Sequence, residues 1–151
     1  MEVIFKTFTD LTQDELYELL RLRAEVFVVE QNCPYQDIDN KDQVATHAFI
    51  KEPSSNMIAY ARLFKAGYYA QEPSIGRVVT KLSHRNKGIA KVLMSACIDY
   101  MKTTLKVNTI ELSAQNYILD FYKNLGFKTE GKSYLEDGIP HTRMKLKFTE
   151  F

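Results

Sequence analysis

Cysteine, an excess of either charge, and long apolar runs are what this sequence has little of, and each shortage removes a class of protein. Cysteine occurs twice in 151 residues, as Cys33 and Cys97. That is too few for a disulfide framework, and the two form no metal-ligand spacing, so a reducing, cytoplasmic setting is expected and no metal. Lysine and arginine total 20 against 19 aspartate and glutamate, leaving a net charge of +1. No basic face follows from that balance, so no nucleic-acid partner is expected. No apolar run approaches the length needed to span a bilayer, and the opening M-E-V-I-F-K-T-F-T-D lacks the layout of a signal peptide, so no membrane partner is expected either. Repeats, low-complexity tracts and Pro/Gly/Ser-rich linkers are missing too. A single domain over residues 1–151 is therefore expected, and at 45% hydrophobic residues it has enough apolar mass for a core.

What is present alternates between the two periodicities. Glu2 to Phe8 reads as a strand. Thr12 with Glu15 forms a capping box ahead of a helix carried by Leu16, Leu19, Leu20, Arg23 and Phe27, which β-branching ends near Glu30. A polar loop follows, from Gln31 to Asp42. Ala45 to Lys51 and Met57 to Ala66 read as strands joined by a turn at Pro53 to Asn56. Later come a strand at Thr109 to Ala114 and a short helix from Asn116 to Leu125 stopped by Gly126. A final antiparallel pair closes the chain around the turn Glu136-Asp137-Gly138. The order is that of an α/β or α+β protein, a sheet with helices on its faces.

The most informative stretch runs from Ser74 to Tyr100. Ile75 to Leu82 is rich in β-branched residues and reads as a strand. A basic turn with Gly88 then opens a helix whose apolar positions are Ile89, Val92, Leu93, Ala96, Cys97 and Tyr100. The first turn of a helix leaves backbone N–H groups without partners at the positive end of the dipole. With Arg85, Lys87 and Lys91 around it, and no Cβ at Gly88, the turn suits a phosphate or diphosphate. A nucleotide P-loop is excluded by residue order, since Lys87 precedes Gly88 and Ile89 follows it. A dinucleotide fingerprint is excluded because only one glycine is present. A solvated basic turn is the competing reading of this segment taken alone.

The segment Arg85-Asn86-Lys87-Gly88-Ile89-Ala90 resembles the R/Q-x-x-G-x-G/A signature of the GCN5-related N-acetyltransferases (GNAT). Ala114 to Phe127, A-Q-N-Y-I-L-D-F-Y-K-N-L-G-F, resembles the family's later motif, with Tyr122 at its tyrosine and Gly126-Phe127 at its glycine–phenylalanine. Where the family usually has asparagine at the strand end, this chain has Gln115, with Asn116 beside it. V-F-V-V-E-Q-N-C-P-Y-Q-D-I-D-N-K-D, His47 and E-D-G-I-P-H resemble the ElaA-like branch. The resemblance implies an acyl-CoA N-acyltransferase fold: a mixed, mostly antiparallel central sheet with helices on both faces. It implies acetyl-CoA as co-substrate, a small-molecule or peptide amine as acceptor, and direct transfer without an acetyl-enzyme; it leaves a homodimer open. A catalytically silent acyl-CoA-binding module is the alternative.

On that resemblance the loop Arg85, Asn86, Lys87, Gly88, Ile89, Ala90 and Lys91 would hold the diphosphate. The strand backbone at Val78, Val79 and Thr80 would hold the pantetheine arm, splayed from its neighbour, with Gln115 or Asn116 also meeting that arm. An N–H near Val79 would polarise the acetyl carbonyl. Tyr122 would protonate the departing sulfur; a core aromatic beside Phe121 is its competing reading. An amine with a pKa of about 10 must lose a proton before attack. Glu30, His47 and His141 are the candidate bases, while strand alternation turns Glu111 to the other face. Asp37, Asp39 and Asp42 bunch in one loop, Glu136 and Asp137 in another. At the acceptor mouth they would draw a cationic amine, but solvated turns are the preferred reading. D-I-D-N-K-D is no EF-hand, since Lys41 replaces a ligand. Cys33 reads as a part-buried loop thiol.

Overall fold

A computed structural model of the protein describes residues 1–148; the last three residues of the expected domain lie outside the described residues. The strands are β1 (Ile4–Thr7), β2 (Thr46–Lys51), β3 (Met57–Phe64), β4 (Ser74–Thr80), β5 (Thr109–Gln115), β6 (Lys128–Glu136) and β7 (Ile139–Lys147). The helices are α1 (Gln13–Arg23), α2 (Ile89–Thr103) and α3 (Leu119–Asn124). The strands form one sheet in the order β1-β2-β3-β4-β5-β7-β6, antiparallel everywhere except between β4 and β5.

Local chemistry explains the elements. Thr12 Oγ1 accepts from the Glu15 N–H at 3.0 Å, and the Thr12 N–H donates to Glu15 Oε1 at 2.9 Å, so two orphan donors at the start of α1 are satisfied reciprocally. Leu19 and Leu22 of α1, with Val26 beyond it, pack on Phe49, Met57, Tyr60 and Val79. On the other face, Leu93, Met94, Cys97 and Met101 of α2 pack with Ile58, Ala59, Ile110 and Leu112, joined by Tyr122 and Phe127. Each fully buried side chain of this size contributes about 2 kcal/mol by leaving water. β3 is buried at every residue, because helices cover both of its faces. The buried stripe of α2 differs from the sequence pattern: Val92 is 40% exposed, while Met94 and Met101 are buried. The helix is rolled so that unbranched methionines fill the inner gap and the β-branched valine sits at the rim. Burial pushes the Cys97 thiol up to about 12, the state of an inert core residue.

The helix expected to end near Glu30 does end there, but it changes pitch first. After Arg23 the chain continues as a π-helical segment, Ala24–Glu30, whose exit is marked by the Gln31 N–H donating to the Val26 carbonyl five residues back. The extra residue per turn carries Glu30 and Gln31 to the edge of the sheet's central gap.

Candidate active site

That gap is where β4 and β5 part. Their ladder has one register pair, Ser74 with Glu111, backed by the Glu111 N–H donating to the Pro73 carbonyl. Beyond it the strands diverge, so the edge of β4 from Ile75 to Thr80 has no strand on its β5 side. A further irregularity sits in β4 itself. Val79 pairs with Tyr60 and Gly76 with Arg62, leaving Arg77 and Val78 opposite Ala61 alone. Arg77 takes a φ of 51°, a conformation that costs an L residue with a Cβ energy. Its guanidinium anchors the bulge: Nε donates to Asp37 Oδ1 at 2.8 Å and Nη2 to the Asp37 carbonyl at 3.1 Å.

Between the diverging strands lies a cavity of about 480 Å³. Val78, Val79 and Thr80 line one wall, and Ala114 and Gln115 line the other. Arg85, Asn86 and Ala90 close one end; Cys33, Glu136, Asp137 and His141 close the other. Tyr122 reaches it from α3 and is only 5% exposed. No hydrogen bond ties its hydroxyl to another of the described residues, and burial raises its pKa above the ordinary phenol value. The group stays protonated at neutral pH, on a residue that lines the cavity.

A second cavity of about 410 Å³ lies beside the start of α2, lined by Gly88, Ile89 and Lys91, and it shares Thr80, Arg85, Asn86, Ala90 and Phe121 with the first. Gly88 caps α2 at φ 77°, a conformation that favours glycine, and a Cβ there would meet nothing within 4 Å. Open space in front of an α2 N-terminus fits an anionic group, so the residues present suit the diphosphate of coenzyme A. Lys87 is exposed and lines neither cavity.

The remaining sequence candidates separate. His141 is 6% exposed at the cavity wall. Its Nδ1 lies 2.7 Å from the Ile139 carbonyl, which can only accept, so Nδ1 carries a proton. Nε2 stands 3.5 Å from Glu136 Oε2, a carboxylate that also accepts from Ser113 Oγ at 3.1 Å. His47, by contrast, is wholly buried in β2, away from both cavities. One ring nitrogen meets the Tyr60 hydroxyl and the other the Asp42 carbonyl at 2.9 Å, and burial pushes its pKa below the ordinary histidine value. It has no free nitrogen for a substrate. Glu30 is held by Arg85 in a bidentate pair at 2.6 and 2.9 Å. Gln115 lines the cavity and meets the Gln31 amide at 3.3 Å. Asn116 turns away from it: its amide donates to Ser133 Oγ at 2.8 Å and accepts from Thr142 Oγ1 at 2.7 Å, stitching β7 to β6.

The acidic loop is neither a solvated turn nor a mouth. Asp37 and Asp42 are 7% and 5% exposed. Arg23 of α1 donates to Asp37 Oδ2 at 3.0 Å and Asp42 Oδ1 at 2.7 Å; Arg62 of β3 bridges Asp39 and Asp42. The partners come from distant segments, so the sequence neighbourhood does not announce them. Arg77 and Tyr35 also line the cavity, and neither carries a sequence signal of that role.

Comparison with known proteins agrees with this architecture. Residues 9–148 match the profile of the acetyltransferase (GNAT) domain. Protein ElaA of Escherichia coli is 37% identical over 137 residues, 90% of each chain. Its crystal structure matches with a TM-score of 0.90 and 34% identity over 97% of this chain and all of that one (100%). An acyl-CoA N-acyltransferase from Pseudomonas aeruginosa matches with a TM-score of 0.90 and 36% identity, over 97% of this chain and 99% of that one. At the level of fold alone, a spermidine N-acetyltransferase from Vibrio cholerae, in complex with CoA and spermine, matches with a TM-score of 0.71 and 19% identity, over 96% and 95% of the two chains. With its parted β4 and β5 and the anion-ready turn before α2, the chain belongs to the GNAT acyltransferase family, in the ElaA-like branch.

Proposed function

We propose that this protein is an N-acetyltransferase that moves the acetyl group of acetyl-CoA directly to a primary amine of a small-molecule or peptide acceptor. The observation that carries the reading is the cavity between β4 and β5, whose walls bring together His141 and Tyr122, a phenol with no hydrogen-bond partner among the described residues. Bound acetyl-CoA supplies an activated thioester. The turn from Arg85 to Lys91 holds its diphosphate, and the free edge of β4 at Val78, Val79 and Thr80 aligns its pantetheine arm. A backbone N–H beside Val79, on the edge of β4 that β5 leaves unpaired, polarises the acetyl carbonyl as negative charge develops on oxygen. His141 Nε2 takes the proton that the ammonium must lose before its nitrogen attacks, and Glu136 stabilises the imidazolium that results. As the carbon–sulfur bond breaks, Tyr122 gives its proton to sulfur and regains, through water, the second proton that the newly acylated nitrogen sheds.

His141 is preferred to Glu30 as base because the Glu30 carboxylate is engaged by Arg85. Glu136 and Asp137 line the acceptor end, which favours an acceptor that arrives as a cation. Two cysteines that are both free and buried are consistent with work in the cytoplasm. The test is a library of amines incubated with acetyl-CoA and a thiol-detecting dye. Acceptor-dependent release of CoA thiol is the expected result. Tight CoA binding with no amine consumed would leave the silent acyl-CoA-binding module, and the absence of CoA binding would end both readings.

A further inference from the structure

Arg85 sits between the two cavities and lines both. Its Nη1 and Nη2 donate to Glu30 Oε2 and Oε1 at 2.6 and 2.9 Å, and its Nε donates to the Thr80 carbonyl at 3.1 Å. The end-on face of the guanidinium, which is the face that takes two oxygens of a phosphate at once, is therefore filled by a carboxylate. Glu30 arrives there from the π-helical segment after α1, remote in sequence from the diphosphate turn. The two side chains are 32% and 34% exposed, so water screens the pair and little is lost when it opens.

We infer that Glu30 is the resident anion of the diphosphate site: its carboxylate occupies Arg85 in the empty enzyme, coenzyme A displaces it on binding, and its return helps expel the spent cofactor. This rests on the reading of the site as a coenzyme A site. The charges favour exchange over a shared contact. Closed on Glu30, Arg85 belongs to a neutral pair and offers a doubly charged diphosphate no net attraction. A carboxylate left in place would also stand against the incoming phosphates. Once Glu30 is displaced, the guanidinium meets the more highly charged partner with both Nη groups. Binding is then an exchange of anions, and Glu30 sets both the affinity for the cofactor and how long the product stays.

The test compares wild-type protein with Glu30→Gln by titration calorimetry against free coenzyme A, with dissociation followed by a stopped-flow chase. Removing the competing charge is expected to tighten binding about two- to fivefold and to slow release by a similar factor. In an Arg85→Gln background the same change at Glu30 should have a markedly smaller effect, since only the direct repulsion of the phosphates remains, and a double-mutant cycle reads the difference directly. Both side chains are at the surface, and matched thermal melts show that the variants fold. Unchanged affinity in Glu30→Gln would overturn the inference, and so would weaker affinity, which would mean that Glu30 braces Arg85 in a pair that stays closed. Wild-type protein that gives no heat with coenzyme A would instead overturn the acetyl-CoA reading itself.

Discussion

Two polar clusters flank β4, and they differ in what is left over. In the first, Arg23, Arg62 and Arg77 face Asp37, Asp39 and Asp42, and each charge has an opposite charge within 3.4 Å. Its one orphan among the described residues is Arg62 Nε. In the second, Tyr122 has no hydrogen-bond partner among the described residues, His141 Nε2 comes no nearer than 3.5 Å to Glu136, and Gln31 and Gln115 meet only at 3.3 Å. The first cluster has spent its bonding capacity on holding the loop from Gln31 to Asp42 against the sheet and on keeping the bulge at Arg77 in shape. The second keeps its bonding capacity unspent. Buried charge that is saturated acts as scaffold, and buried polarity that is unspent is where a substrate can be recognised.

The sharpest way to break this contrast is to remove one atom from the unspent cluster. Tyr122→Phe is expected to lower turnover by about 10²- to 10⁴-fold while the CoA dissociation constant and thermal midpoint stay put. A large loss of stability with turnover intact would make Tyr122 a core aromatic and erase the distinction. In the saturated cluster the opposite pattern is expected. Arg62→Leu takes one of two cations from each of Asp39 and Asp42, leaving Arg77 and Arg23 respectively, and urea denaturation should show a loss of about 3 kcal/mol.

Acid sharpens the same point. Burial alone would raise the Asp39 carboxyl, but the Arg62 hydrogen bond and charge, with Arg77, hold it down at about 2. A carboxyl lowered by folding adds stability that is complete above its unfolded value near 3.8 and is lost as pH falls towards 2. Melts from pH 5 to pH 2 should therefore show this cluster giving way, with on the order of 2 kcal/mol traced to Asp39 and absent in Asp39→Asn. The smallest expected effect belongs to Asn116. Asn116→Ala should cost about 1 kcal/mol of stability and leave CoA affinity unchanged, because its amide joins β6 to β7 and does not line the cavity. A fall in CoA affinity would return Asn116 to the binding site.

Much of the fold was legible because its signals are local. The Thr12–Glu15 capping box, the turn at Asp137-Gly138 and the strand–loop–helix around Gly88 each depend on residues a few positions apart. The order of strands and helices follows from the same short-range patterns. Tyr122 and Gly88 could be singled out because the family motif that they complete is contiguous. Arg77 could not: nothing in S-I-G-R-V-V marks the arginine as the residue forced to φ 51°. His47 and His141 look alike in sequence, each near the start of a strand. They part only through what surrounds them, a sealed shell of Tyr60 and Asp42 for one and an open wall with Glu136 for the other.

By itself, then, the sequence determined the periodicities, the caps and turns, the glycine at the mouth of α2 and the family these compose. Tertiary structure alone decided which aspartates meet which arginines, which histidine keeps a free nitrogen, and that Glu30 lies on Arg85. The reason is physical. Backbone preferences act over a turn or two of chain, whereas burial, ion pairing and the direction of a lone pair depend on groups that folding brings together from far apart in the chain.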